Sequence, residues 1–149
     1  MGDGVEAAAA MNADVTQGAP AGAVAIVVPW RPMSPNRWAE HWGARQRRHA
    51  AAHKAFRAAS AGLVAPALPV VVTLTRVSRG KLDQDNLVAS LKPVIDAVAN
   101  FLHCDDRDSR IEWAYRQGHT KEKVRSPFHY GPRELFACYV RIEIRPAGA

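Results

Sequence analysis

Between Lys81 and Arg110 the chain reads KLDQDNLVASLKPVIDAVANFLHCDDRDSR, two groups of acids separated by a largely apolar stretch. Asp83 and Asp85 stand two residues apart, so on an extended backbone their carboxylates project to the same side. Asp105, Asp106 and Asp108 form the second group. Three or four carboxylates brought together repel one another and any anionic ligand, and a divalent cation removes that conflict. Oxygen donors with positions left for water suit magnesium or manganese. The chemistry such a centre supports is the binding or attack of a phosphate. An Asp-x-Asp pair alone is a weak signal, because it also occurs in nucleotide-sugar transferases and in plain loops.

The elements that must position these acids can be read from the surrounding pattern. Leu87, Leu91, Val94, Ile95, Val98 and Leu102 follow Asp85 at helical spacing. Asp85 stands where an N-cap is expected, accepting hydrogen bonds from the first amides of the helix. That role accounts for Asp85 but leaves Asp83 without one. At about 100° per residue, Lys92 lies roughly 20° behind Asp85 and Asp96 roughly 20° ahead of it, opposite the apolar side. The plain alternative is an exposed Lys92–Asp96 pair worth about 0.2–0.5 kcal/mol. Pro93 removes the backbone bond to the Ala89 carbonyl and can kink the helix there.

Strands are expected over Ala23–Val28, Val70–Val77, Ile111–Tyr115 and Leu135–Ile144, where β-branched and apolar residues concentrate. A helix is expected from Ala39 to about Ala61. It carries Arg45, Arg47, Arg48, His49, His53, Lys54 and Arg57, a strongly positive face suited to phosphate contact or simply solvated. His49 and His53 are four apart, but no acid lies between them as in a zinc-protease helix. Gly118–Arg133 reads as a long basic loop with Lys121, Lys123 and Arg125. The fold class is therefore α/β (α+β): one small domain over 21–146, a mixed sheet with packed helices. If the strand beginning near Ile111 runs beside the one ending near Val77, the second acidic group can approach the first.

The 149 residues carry a net charge of +6, unevenly spread. Residues 1–29 hold three acids and no lysine or arginine, so the remainder sets 20 basic residues against 11 acidic ones, a balance of +9. A body this basic points to a polyanionic partner, above all nucleic acid. The Ala/Gly-rich start, residues 1–20, reads as a disordered tail. No apolar run is long enough for a membrane span. The first residues lack the basic start of a secretory signal, so the expected location is cytoplasmic; Cys104 and Cys138 suit a reducing compartment and show no metal spacing. Trp30, Trp38, Trp42 and Trp113 are candidates for core packing, base stacking or a subunit interface, with at least two in the core.

The sequence DQDN, a later lysine with an aspartate four residues beyond it, and DD after the helix together resemble the RusA family of Holliday junction resolvases. The opening strand running into PWRPMSPNRW resembles the start of that family as well, and the likeness spans roughly Val24 to Ile144. It implies a small dimeric, magnesium-dependent endonuclease that nicks four-way DNA junctions symmetrically. Carried over by residue, it makes Asp83, Asp85 and Asp106 the catalytic and metal-binding acids, with Asp105 beside them and Lys92 as the essential lysine. Asn86 and Asp96 would orient those ligands. Apart from that carry-over, the basic side chains Arg45, Arg47, Arg48, Lys121, Lys123 and Arg125 are the candidates for contact with DNA phosphates. The chain departs from the pattern in one respect: six residues separate Asn86 from Lys92 where three are usual, and Ala89 takes the usual lysine place. Two other readings stay open, a branched-DNA-binding module that does not cut and a magnesium enzyme acting on a nucleotide or nucleotide-sugar.

Overall fold

The computed structural model describes residues 22–33, 42–125 and 134–148. The expected tail, Trp38 and the second half of the basic loop, residues 126–133, lie outside the described residues. In chain order the elements are β1 (Val24–Val28), α1 (Trp42–Ala59), β2 (Val70–Ser78), α2 (Gln84–Phe101), β3 (Ile111–His119), β4 (Lys123–Arg125), β5 (Glu134–Phe136) and β6 (Tyr139–Pro146).

Four of the strands form a mixed sheet in the order β1-β6-β2-β3. β6 is antiparallel to both β1 and β2, whereas β2 and β3 are parallel and joined through α2. Alternation along each strand divides the side chains between two faces. Ile26 and Val28, Val70, Val72 and Leu74, and Val140, Ile142 and Ile144 share one face with Ile111. Both helices cover this face: Ala52 and Phe56 of α1 and Leu87, Leu91, Val94, Ile95 and Val98 of α2 complete the buried cluster. The opposite face carries Glu112, Arg116, Arg141, Glu143 and Arg145 among smaller residues. The fold is a small single-domain α+β fold, as the strand and helix patterning predicts. No helix among the described residues is long and apolar enough to cross a membrane.

Several boundaries differ from the sequence expectation, each for a local reason. The N-cap of α2 is Asp83, not Asp85. Asp83 has extended backbone (φ −67°, ψ 166°) and accepts a hydrogen bond from Asn86 N at 2.9 Å. Asp85 therefore sits in the first turn, where a negative charge is favoured by the helix dipole. α2 continues through Pro93; Ala89, whose carbonyl loses its partner there, is exposed. β3 runs on to His119 because its register with β2 holds as far as Ser78. The close approach of those strands at Val77–Gly118 suits glycine, since a Cβ on Gly118 would come within 3.3 Å of Val77. The basic loop thus begins only after His119, and part of it forms β4, paired antiparallel with β5. The expected terminal strand is broken at Ala137, whose amide turns to the Glu122 carbonyl at 2.8 Å.

Candidate active site

The parallel pairing of β2 and β3 decides where the two acidic groups lie. Asp83 follows the C-terminal end of β2. The turn carrying Asp105, Asp106 and Asp108 precedes β3, at the opposite end of β2, where Val70 N donates to Arg110 O at 3.0 Å. Adjacency of the two strands is as expected, but it does not bring the turn onto Asp83 and Asp85. Asp106 is instead met by Lys92, seven residues and about 10 Å along the helix axis from Asp85. Among the described residues, no group of three or more His, Cys, Asp or Glu side chains is arranged to share a metal ion.

Asp83 and Asp85 are both exposed, at the N-terminal end of α2. One oxygen of Asp83 is used by the cap. Half-buried Asn86 contributes its backbone amide to that cap. Because α2 begins at Gln84, Asp85 is helical and the extended geometry expected to put both carboxylates on one side does not hold. What the two residues offer is a pair of exposed carboxylates at one helix end, a donor type that suits magnesium, which keeps several waters and binds through one or two carboxylates plus substrate phosphate.

Two turns further along α2, Lys92 joins Asp106 and Asp96, the latter at 3.0 Å. Its hydrogen bond to Asp106 outweighs partial burial and holds the ammonium above the ordinary lysine value. Lys92 is therefore a cation at neutral pH and not a proton acceptor. The same bond lowers the Asp106 carboxyl. Asp96 also receives His49 of α1, with Nε2 at 3.2 Å from Oδ2. The acid missing between His49 and His53 is thus supplied by the other helix. The two imidazoles stack at 4.9 Å, and burial, followed by the nearby His49, holds His53 below the usual histidine value.

The acidic turn is ordered by its own bonds. Asp105 accepts from Arg107 N at 2.9 Å. Asp108 is clamped by Arg110, through Nη2 at 2.7 Å, Nε at 3.0 Å and the backbone amide at 2.9 Å. The side-chain bonds from Arg110, then its amide, lower the Asp108 carboxyl to about 2. Because this lies below the unfolded value of 3.8, the stabilisation is present above 3.8 and is lost as pH falls through about 2. A carboxyl-carbon NMR titration should place the Asp108 midpoint near 2 in the native protein, moving up in Arg110→Ala; an ordinary midpoint in the native protein would refute the clamp.

β3 contributes three side chains, of which sequence reasoning had singled out only Trp113 and missed Tyr115 and Gln117. Trp113 Nε1 donates to the Asp106 carbonyl at 3.0 Å. Half-buried Tyr115 lies near Lys92 and Asp106, and burial raises its hydroxyl. Gln117 bonds both backbone groups of Leu82, accepting from N at 2.8 Å and donating to O at 2.6 Å. Positions 113, 115 and 117 alternate on the helix-facing side of the sheet, a signal available had the strand been carried past Tyr115. Of the four tryptophans, Trp30 is in the core, Trp113 packs against it and Trp42 is exposed.

The basic residues spread over two regions. Arg45 and Arg47 are exposed on α1, and half-buried Arg48 donates to Met33 Sδ at 3.4 Å. Lys121, Lys123 and Arg125 are exposed on and before β4. Compared with known proteins, the chain matches no family model and no curated protein.

Proposed function

We propose that this protein is a magnesium-dependent, structure-selective endodeoxyribonuclease that resolves four-way DNA junctions by paired nicks, acting as a cytoplasmic homodimer. The observation that carries the reading is the line of groups along α2: Asp83 and Asp85 at its start, then Lys92 holding Asp96 and Asp106. These are the residues, in the same order, on which the RusA resemblance rests. Asp83 and Asp85 would hold the cation, with Asp106 and Asp105 the further acids named by that resemblance. Magnesium, when bound, supplies Lewis acidity and makes water a better nucleophile at neutral pH.

The chain's own part follows from its charges. Asp106 would join a shared ligand set only after a rearrangement that both releases Lys92 and brings the turn toward Asp83 and Asp85. An incoming phosphate is the natural competitor for that ammonium, so one exchange frees the acid and places a cation against the phosphoryl oxygens. There Lys92 stabilises the charge that builds as the 3′ oxygen leaves, in the manner of other fixed cations at reacting phosphates. Asp96, shared by Lys92 and His49, keeps the lysine on this side of the helix. Two symmetric nicks call for two such sites, which a twofold dimer supplies.

A second reading, a branched-DNA-binding module without cutting, is favoured by one observation: Asp106 is already neutralised by Lys92 and stands apart from Asp83 and Asp85. Incubating the protein with a labelled four-way junction, in magnesium and in EDTA, separates the two. Paired nicks that need magnesium support the nuclease; tight binding without cuts in magnesium or manganese supports the module.

Junction selectivity requires contact with phosphates, which carry position but not sequence. Replacing Arg45, Arg47, Lys121, Lys123 and Arg125 by glutamine should weaken junction binding and flatten its salt dependence by about 0.9 in slope per lost contact. An unchanged slope would make these residues an ordinary solvated surface.

A further inference from the structure

We infer that Gln117 is a positioning residue for the acids at the start of α2, an inference that rests on the metal-dependent reading above. The segment between β2 and α2, Arg79–Asp83, has no regular structure of its own. Side chains from the sheet hold it. Arg76 Nη1 donates to Gly80 O at 3.0 Å. Gln117, across on β3, accepts from Leu82 N and donates to Leu82 O at 2.8 and 2.6 Å.

The second attachment is the more exacting. The carboxamide of Gln117 meets both polar backbone groups of one residue, as a neighbouring strand would. Only a primary amide offers a donor and an acceptor side by side in one plane. Asparagine has the same head group on a stem one methylene shorter. Glutamate keeps the length but, when ionised, only accepts, and it sets a charge against the Leu82 carbonyl. Leu82 itself packs against the core, so its backbone is held from both sides. The next residue is Asp83, whose extended backbone and cap to Asn86 set the first turn and hence Asp85. Fixing Leu82 therefore sets where both carboxylates stand, although Gln117 touches neither. Its place on β3 brings information from the far strand of the crossover to its beginning.

The test uses the full-length protein and two variants, Gln117→Ala and the near-isosteric Gln117→Glu. Magnesium binding is followed without DNA, by amide shifts of Asp83 and Asp85 during a MgCl₂ titration. Amide exchange at Leu82 is measured in metal-free protein. Both variants should expose the Leu82 amide to faster exchange and weaken magnesium binding about tenfold. Nicking should fall by about ten- to a hundredfold, as expected for groups displaced by a fraction of an ångström, and recover in part at high magnesium. Junction binding in EDTA should match the native protein, which a merely destabilised fold would not achieve. If the native protein binds magnesium and either folded variant binds it equally well, the positioning role is overturned while the nuclease reading stands. If the native protein itself shows no magnesium-dependent shifts, the metal reading fails and takes this inference with it.

Discussion

Replacing Asp85 by asparagine should lower magnesium-dependent nicking of a four-way junction by about 10³-fold or more, while junction binding in EDTA stays near that of the native protein. The substitution keeps size and hydrogen-bonding capacity but removes the formal charge and one anionic oxygen. A cation held by only one or two carboxylates cannot lose one cheaply. Its Lewis-acid contribution is several kcal/mol, and each 1.36 kcal/mol is about a factor of ten in rate. The fold should tolerate the change, since Asp85 is exposed and the cap of α2 belongs to Asp83. Asp83→Asn should reduce cutting comparably and cost little further stability, since the asparagine oxygen can still accept from Asn86 N and caps a helix about as well as aspartate. Nicking by Asp85→Asn at the native rate would remove Asp85 from the metal site.

The second large effect is expected at Lys92. Lys92→Met retains most of the aliphatic stem and loses the ammonium, and nicking should fall by about 10²–10³-fold, the scale on which one fixed charge-stabilising group acts. Because Asp106 holds the lysine above its ordinary value, the group stays charged well past neutrality. Its folded value lies above the unfolded 10.5, so the stability it adds is complete below 10.5 and is lost as pH rises through the folded value. The deficit of the variant should therefore be the same at pH 7 and pH 9. A deficit that shrinks at low pH would point instead to a proton acceptor. The Asp106 carboxyl, deprived of its ammonium partner, should move up in an NMR titration.

How much of this was legible beforehand depended on whether the determining force was local. The apolar spacing from Leu87 to Leu102 located α2, and β-branched runs located the strands, because both reflect periodic burial. The cap was misplaced by two residues because Asp83 and Asp85 are equally able acceptors. Only the backbone path out of β2, held at Gly80 and Leu82, selects the first. The direction of β3 was beyond local reasoning. A parallel neighbour and an antiparallel one look alike in a run such as IEWAYRQGH, yet that direction puts the acidic turn at the far end of β2. Lys92 and Asp96 fell on one face as the helical wheel requires. His49 joined them through helix packing, and Gln117 through sheet register, both set by residues distant in sequence.

The spatial order β1-β6-β2-β3 differs from the order in which the chain is made. β1, β2 and β3 are synthesised before β6, the strand that lies between β1 and β2. The crossover bearing Asp83, Lys92 and Asp106 can therefore form on the ribosome while the edge of β2 that will receive β6 is still bare. That edge presents the backbone groups of Val70–Val77, paired only once β6 arrives. An unpaired apolar strand of this kind is a template for association between nascent chains. Slowed translation between residues 120 and 140 should accordingly lower soluble yield without altering the protein that does mature.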